Sequence, residues 1–206
     1  MATLSDLRTY TARALRDTAN GTWTTGELDD LINQGIDEIS SFYPKDVVST
    51  FATVSAGVVS YAASSYTNIY RIDQYDGTTF RGVVPHGTGE GPDSGWELHA
   101  GIVWFPPTYQ MPTGYTLRAF GYGAYIQLTA SSQTTDLDTT GIWAVVRYAQ
   151  VEGWAALMGD RAKFMQWQTD SNNTDVSPLV MAQLYNAALS RWARQVRRMR
   201  KMRKLG

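Results

Sequence analysis

The apolar residues of this 206-residue chain follow a helical period at both ends and lose it in the middle, and that switch decides which folds are open to it. The strongest helical stretch is TWTTGELDDLINQGIDEISSFYP, where Leu28, Leu31, Ile32, Gly35, Ile36 and Ile39 make one stripe and Pro44 stops it. Thr24 is placed to cap this helix, over about 25–42. Glu27, three residues on, can reach back to the cap amide, and Trp23 can pack on Leu28 as a hydrophobic staple. Asn33 lies within the same stretch, and none of these local rules explains it. A shorter amphipathic helix precedes it, from Leu4 to about Thr18, with Leu4, Leu7, Ala14 and Leu15 on one face and Asp6 near its start.

From Val47 to Leu128 the runs VVSTFATVS, NIYRIDQY, GWELHAGIVWFPP and GYTLRAFGYGAYI are rich in β-branched and aromatic residues, and Gly, Pro, Ser and Asp clusters separate them. Strands near 47–55, 68–75, 79–84, 96–105 and 114–127 would form a small antiparallel sheet or sandwich, a β-rich insert over about 45–128. Helical spacing returns at about Thr140 and runs on through Phe164 and Trp167, predicting a helix over about 140–168. A last helix over about 178–199 begins with Ser177 as cap and Pro178 as first helical residue, and carries Met181, Tyr185, Ala188, Trp192, Val196 and Met199 on its stripe. The expected fold is α+β. It is a bundle of two N-terminal and two C-terminal helices with a β-rich antiparallel insert and a projecting basic C-terminal helix or arm. With 43% hydrophobic residues the chain can bury one sizeable core or at most two small ones, and residues 1–190 are expected to form a single domain and 191–206 an arm.

Several patterns that could carry chemistry fail on inspection. DLDTTG, Asp136 to Gly141, begins like a calcium loop, but Thr140 stands at the fifth position and Arg147 at the twelfth, where a bidentate Glu belongs. Its DxDxT spelling resembles the nucleophile motif of haloacid dehalogenase-type phosphatases, yet ASSQTT before it cannot make the buried strand which that chemistry needs. A loop and helix N-cap is the plain reading. The GTGEG of PHGTGEGPDSG lies between strands rather than ahead of a helix and reads as a hairpin loop. His86 and His99 have no Cys or carboxylate array at ligand spacing. Asp29, Asp30, Asp37 and Glu38 lie off the apolar face of their helix, where solvation is the default, and no pair suggests a glycosidase. No catalytic residue, cofactor or metal is expected, and the chain reads as a non-enzyme. It contains no cysteine, which excludes disulfides and thiolate sites. The opening residues have charges inside each short apolar run, unlike a signal peptide, and no stretch has the length of a membrane span.

Charge supplies the remaining signal. Residues 1–190 hold 10 Lys plus Arg against 19 Asp plus Glu, a net of −9, whereas RWARQVRRMRKMRKLG holds eight basic residues and no acidic one. On a helical wheel Arg191, Arg194, Arg197, Arg198, Arg200, Lys201 and Lys204 avoid the apolar stripe, while Arg203 falls on it, so the packed part should end near Met199. Such a helix can dock into an acidic protein groove, neutralise DNA phosphates, lie on an anionic membrane or simply solubilise the chain end. The membrane reading is disfavoured because only Met202 and Leu205 remain apolar after Met199.

The run WTTGELDDLINQGIDEIS resembles the second-helix signature of head-to-tail adaptor (connector, head completion) proteins of tailed bacteriophages. Its order of Trp, Thr, an acidic residue and Leu, then Ile-Asn, a small residue and an apolar/acidic alternation is similar to theirs. The plan of a short helix, this helix, a β-containing insert, two helices and a C-terminal extension is similar to that family over nearly the whole chain. What the resemblance implies is a structural virion protein assembled in the host cytoplasm. It would form a dodecameric ring at the neck, between the portal and downstream tail or nozzle proteins, and DNA would pass through its channel without sequence-specific binding. It also implies that the basic extension (Arg191, Arg194, Arg197, Arg198, Arg200, Lys201, Arg203 and Lys204) docks on the portal ring, with no membrane involved. The alternative function is a nucleic-acid-binding module using the same helix. A virion-associated hydrolase is a third class.

Overall fold

The computed structural model describes every residue except Met1, 18–20, 84–94, 107–110, 171–172 and Gly206, with side chains described as far as Met199. His86 and nearly all of the PHGTGEGPDSG loop therefore lie outside the described residues, as do the side chains of Arg200, Lys201, Arg203 and Lys204. The chain divides into two compact units: a helical one made of Met1–Tyr43 with Tyr125–Gly206, and a β unit, Pro44–Ala124. Mixed helix and antiparallel sheet make the fold α+β.

In the helical unit α1 (Leu4–Ala14) starts at a Thr3–Asp6 capping box, with the Asp6 amide donating to Thr3 Oγ1 at 3.2 Å and the Thr3 amide to Asp6 Oδ2 at 2.9 Å. It ends earlier than the expected position near 18. Arg16 enters the left-handed region at φ 56, and the fully buried Asp17 carboxylate accepts the amides of Gly21, Thr22 and Trp23 at 3.1, 3.1 and 2.8 Å. That carboxylate organises the turn into α2 (Thr25–Phe42).

α2 packs closely on α3 (Thr139–Gly159), because a Cβ at Gly35 would stand 3.2 Å from both Val145 Cγ1 and the Val145 carbonyl oxygen. The continuous helix expected over 140–168 is broken at Asp160, which is extended at φ −120 and ψ 103. Asp160 Oδ1 accepts the amides of Ala162 and Lys163 at 2.9 and 3.0 Å, so a new helix, α4 (Arg161–Asp170), begins there. α5 (Pro178–Leu205) packs on α3 and continues past Met199 to its end at Leu205.

The segment that re-enters the helical unit, from Tyr125 to Asp138, has almost no regular structure and is tied to α2 side chain by side chain. The Tyr125 amide donates to Ser40 Oγ at 3.1 Å, Gln127 Nε2 donates to Asp37 Oδ2 at 2.7 Å, and the Asn33 amide meets both backbone groups of Leu128. Asn33 Nδ2 donates to the Leu128 carbonyl at 3.0 Å, and the Leu128 amide donates to Asn33 Oδ1 at 2.9 Å. Asn33 thus copies one step of a strand pairing, at a residue that is fully buried. Further on, the Leu4 amide donates to the Gln133 carbonyl and the Thr135 amide to that of Ala2, and an antiparallel bridge joins Thr3 to Thr134.

The β unit holds β1 (Lys45–Thr53), β2 (Ser60–Ala62), β3 (Asn68–Tyr75), β4 (Phe80–Val83), β5 (Glu97–His99), β6 (Ile102–Trp104) and β7 (Thr116–Gly123). They form a four-stranded antiparallel sheet in the order β1-β7-β3-β4 and a three-stranded one in the order β2-β6-β5. Ile69, Ile72, Leu117 and Ala119 of the first sheet share a core with Tyr61 and Val103 of the second. Three differences from the sequence reading have local causes. The run 96–105 is a hairpin, because Ala100 and Gly101 both adopt positive φ, 49 and 75, as a tight two-residue turn requires. β2 occupies a stretch that composition did not mark. The strand expected over 114–127 stops at Gly123, where the chain leaves the sheet. Gly121 admits Tyr66 beneath the sheet: a Cβ there would collide with the Asn68 carbonyl and the Tyr66 ring, whose hydroxyl donates to the Ala119 carbonyl at 3.1 Å. On the opposite face the fully buried Asp73 holds Arg71 and Arg118, at 2.7 and 3.3 Å, and Arg118 lies 3.6 Å over the Phe80 ring.

Replacing Asn33 by Ala leaves a buried amide and a buried carbonyl of Leu128 without partners. The substitution is expected to cost about 1–3 kcal/mol in urea-induced unfolding followed by helix content, and a midpoint equal to that of wild type would remove Asn33 from this role.

Candidate docking face

Local packing fixes the basic helix up to Met199. The Ser177 hydroxyl accepts the Val180 amide at 3.3 Å, and Pro178 occupies the first helical position. Met181, Ala188, Gln195, Val196 and Met199 are buried, with Tyr185 and Trp192 half-buried beside them. Met199 is fully buried among Leu4, Ile32, Ile39 and Val145. Because the apolar stripe is used in packing, Arg191, Arg194, Arg197 and Arg198 are all exposed.

Arg147 of α3 joins them, although sequence reading used it only to exclude a calcium loop. Its Nη1 donates to Gln195 Oε1 at 2.8 Å, and Gln195 Nε2 in turn donates to the Thr140 carbonyl at 3.2 Å, so a buried amide from α5 fixes the guanidinium. Burial first, then the positive charges of Arg191, Arg198 and Arg194, holds Arg147 below the usual guanidinium range. None of these five arginines pairs with a carboxylate among the described residues. The next residue on α3 faces the opposite charge: the Tyr148 hydroxyl is pushed above its ordinary range by burial and then by Glu152 and Glu38. Positions 147 and 148 point about 100° apart on a helix. The helical unit therefore carries cations on one side of α3 and carboxylates on another.

The residues singled out at the start of α2 form a separate structural constellation. Thr24 is the N-cap: its Oγ1 accepts the Glu27 amide at 3.3 Å, and its own amide donates to Glu27 Oε2 at 2.8 Å. Trp23 and Leu28 are buried in one cluster. Lys163 of α4 ties them together, since it pairs with Glu27 and lies 3.9 Å over the Trp23 ring. Burial alone would raise Glu27, but the Lys163 ammonium and the Thr24 amide and hydroxyl outweigh it and hold the carboxyl below its usual range. The remaining candidates are ordinary: Asp138 caps α3 by accepting the Gly141 amide at 2.7 Å, and His99 lies exposed on β5. Asp29 pairs with Arg8 at 2.6 Å.

Comparison with known families assigns this order of helical segment, β unit, helical segment and basic last helix to one of them. The family model described as SU10 adaptor protein matches residues 2–205. The chain belongs to the SU10 adaptor protein family. It is therefore a phage adaptor-type protein, a structural component of the virion, and membership in a structural family implies that it is not an enzyme. A search of curated proteins finds no match. Among the described residues of this adaptor no helix is long and apolar enough to cross a membrane.

The Thr24, Glu27 and Lys163 set makes a pH-dependent contribution with a definite sign. Because the folded Glu27 carboxyl is held below its unfolded value of 4.5, its contribution is present above that pH and is lost as pH falls through the folded value. The stability gap between wild type and Glu27→Gln should be largest near neutrality and shrink below about pH 4. A gap of constant size in denaturant titrations from neutral to acid pH would contradict it. At neutral pH, Thr24→Ala is expected to cost about 0.5–2 kcal/mol and Trp23→Ala about 3–5 kcal/mol.

Proposed function

We propose that the chain is a head-to-tail adaptor, forming a dodecameric ring at the virion neck between the portal and the downstream tail or nozzle proteins. It docks on the portal through the basic end of α5. One observation carries this reading: the apolar stripe is fully used in packing as far as Met199, while the helix and its basic residues run on to Leu205. A helix end of that kind offers cations with only Met202 and Leu205 left apolar, which suits a carboxylate-lined groove better than a membrane surface. Repeated Arg favours the same partner, because a planar guanidinium pairs with carboxylates through two parallel hydrogen bonds. The portal contacts fall to Arg200, Lys201, Arg203 and Lys204, the basic positions farthest along the helix, together with Arg197. DNA passes through the ring without being read. The carboxylate-rich remainder of the chain opposes the alternative, a nucleic-acid-binding module, by repelling phosphates.

Deleting Arg200–Gly206 tests this, because the cut spares the buried Met199. The shortened chain should keep its helix content and melting temperature yet lose attachment to portal rings of the same phage in co-sedimentation. Undiminished attachment would end the docking-arm reading. Loss of a salt-sensitive binding to duplex DNA, with portal attachment intact, would assign the end of α5 to phosphates instead.

A further inference from the structure

Two helix faces of the helical unit carry polar rows of matching spacing, three arginines on one and two carboxylates around a central amide on the other. On α5, Arg191, Arg194 and Arg198 are exposed and line one side, with Arg147 of α3 beside them. On α2, Asp30, Gln34 and Asp37 are exposed and line the side opposite the buried Leu28, Ile32 and Ile39. Asp30 has no ion-pair partner among the described residues, and Asp37 gives one carboxylate oxygen to Gln127 Nε2. Each row runs over seven helical steps, roughly 10 Å of helix axis. Read upward, α2 steps by four and then three residues; read downward from Arg198, α5 does the same. An antiparallel arrangement of the two faces thus sets Arg198 against Asp30, Arg194 against Gln34 and Arg191 against Asp37.

We propose that these faces are the two halves of one contact between neighbouring copies of this chain, with α5 of one copy lying antiparallel to α2 of the next and Arg147 bordering the acidic row. The occupant of the arginine face is a second copy and not a nucleic acid, because the chain itself supplies a carboxylate row of matching length. The match is in register at three positions and in sign at two, where Arg198 meets Asp30 and Arg191 meets Asp37. Both faces are on the helical unit but on different elements, so each copy can keep one face of each sign for the next in a head-to-tail series, which becomes a ring where the rotation between copies closes. Exposed arginine–carboxylate pairs flanked by amides give a polar contact that is weak between two free chains and gains strength when several copies are held side by side. The inference rests on the ring reading above and divides the basic residues between two tasks, Arg191, Arg194 and Arg198 facing the neighbour and the end of α5 facing the portal.

Sedimentation velocity over protein concentrations up to about 1 mM at low salt tests the pairing. Wild type should self-associate weakly and lose that association as salt rises. Arg191→Glu/Arg198→Glu and Asp30→Arg/Asp37→Arg should each weaken self-association at least tenfold, whereas an equimolar mixture of the two should associate at least as well as wild type. Circular dichroism verifies folding, and Asp30→Arg alone, which leaves the Gln127 bond in place, gives a second reading of the acidic side. Self-association that survives both reversals overturns the pairing, and so does a wild type that stays monomeric throughout with no complex in the mixture. Arginine reversal that abolishes duplex DNA binding and leaves self-association unchanged also overturns it, in favour of phosphates. The ring reading fails by a different result, namely no attachment of the wild-type chain to portal rings.

Discussion

The Asn33 side chain closes the helical unit. The chain leaves that unit at Tyr43 and returns at Tyr125, so α1 and α2 can share a core with α3 and α5 only if the returning strand of backbone is seated correctly. A segment without helix or sheet cannot satisfy its own amides and carbonyls, and at Leu128 they are out of reach of water. One primary amide satisfies both at once, because it alone among side chains presents a donor and an acceptor in the geometry of a peptide group. Ser40 and Asp37 hold the residues just before Leu128, through the Tyr125 amide and the Gln127 side chain. With Leu128 fixed, Leu137, Ile142 and Val145 follow into the core against Ile32 and Ile36, and α3 is in place to receive α5.

How α5 packs then determines where its charge goes. Guanidinium groups are too costly to bury unpaired, so the helix turns its one apolar stripe inward and every arginine from 191 to 198 outward. The packing also brings Arg147 into the row, through Gln195, which bonds both the guanidinium and the Thr140 carbonyl. A cluster of like charges with no carboxylate among them raises the free energy of the isolated protein, and an anionic partner relieves it. The same helical unit exposes Asp30 and Asp37 on α2. Charge separation of this kind suits a protein whose task is to hold neighbours in a fixed order, as a structural adaptor must.

Features whose partners lie within one helical turn were legible in the sequence: the Thr24–Glu27 box, the α2 stripe and the Ser177–Pro178 start of α5 all follow from spacing alone. So was the change from helix to strand and back, and with it the α+β class. Asn33 was visible only as a residue that the local rules left over, because its partner lies 95 positions away and is a backbone group with no sequence signature. Arg147 could not be read, since its role arises only when α3 and α5 pack together. Lys163 is a similar case, reaching Glu27 and Trp23 across 136 positions in the first of these contacts. The break at Asp160 did have a local signal, a Gly followed by a capping Asp, but the apolar spacing on either side continued through it. Asp17 likewise stands before a loop whose amides it gathers, and there the sequence gives only a turn-forming residue near a helix end.

Charge placement in the helical unit connects the fold to its proposed task, and the assembled particle is where that connection is visible. Electron cryomicroscopy of the neck of virions containing this chain, at a resolution that separates helices, would show it most directly. The expected density is a closed ring in which α5 of each copy runs antiparallel to α2 of the next and its basic end reaches the portal. A ring in which α5 faces only its own copy, or a neck in which this chain makes no ring, would contradict it.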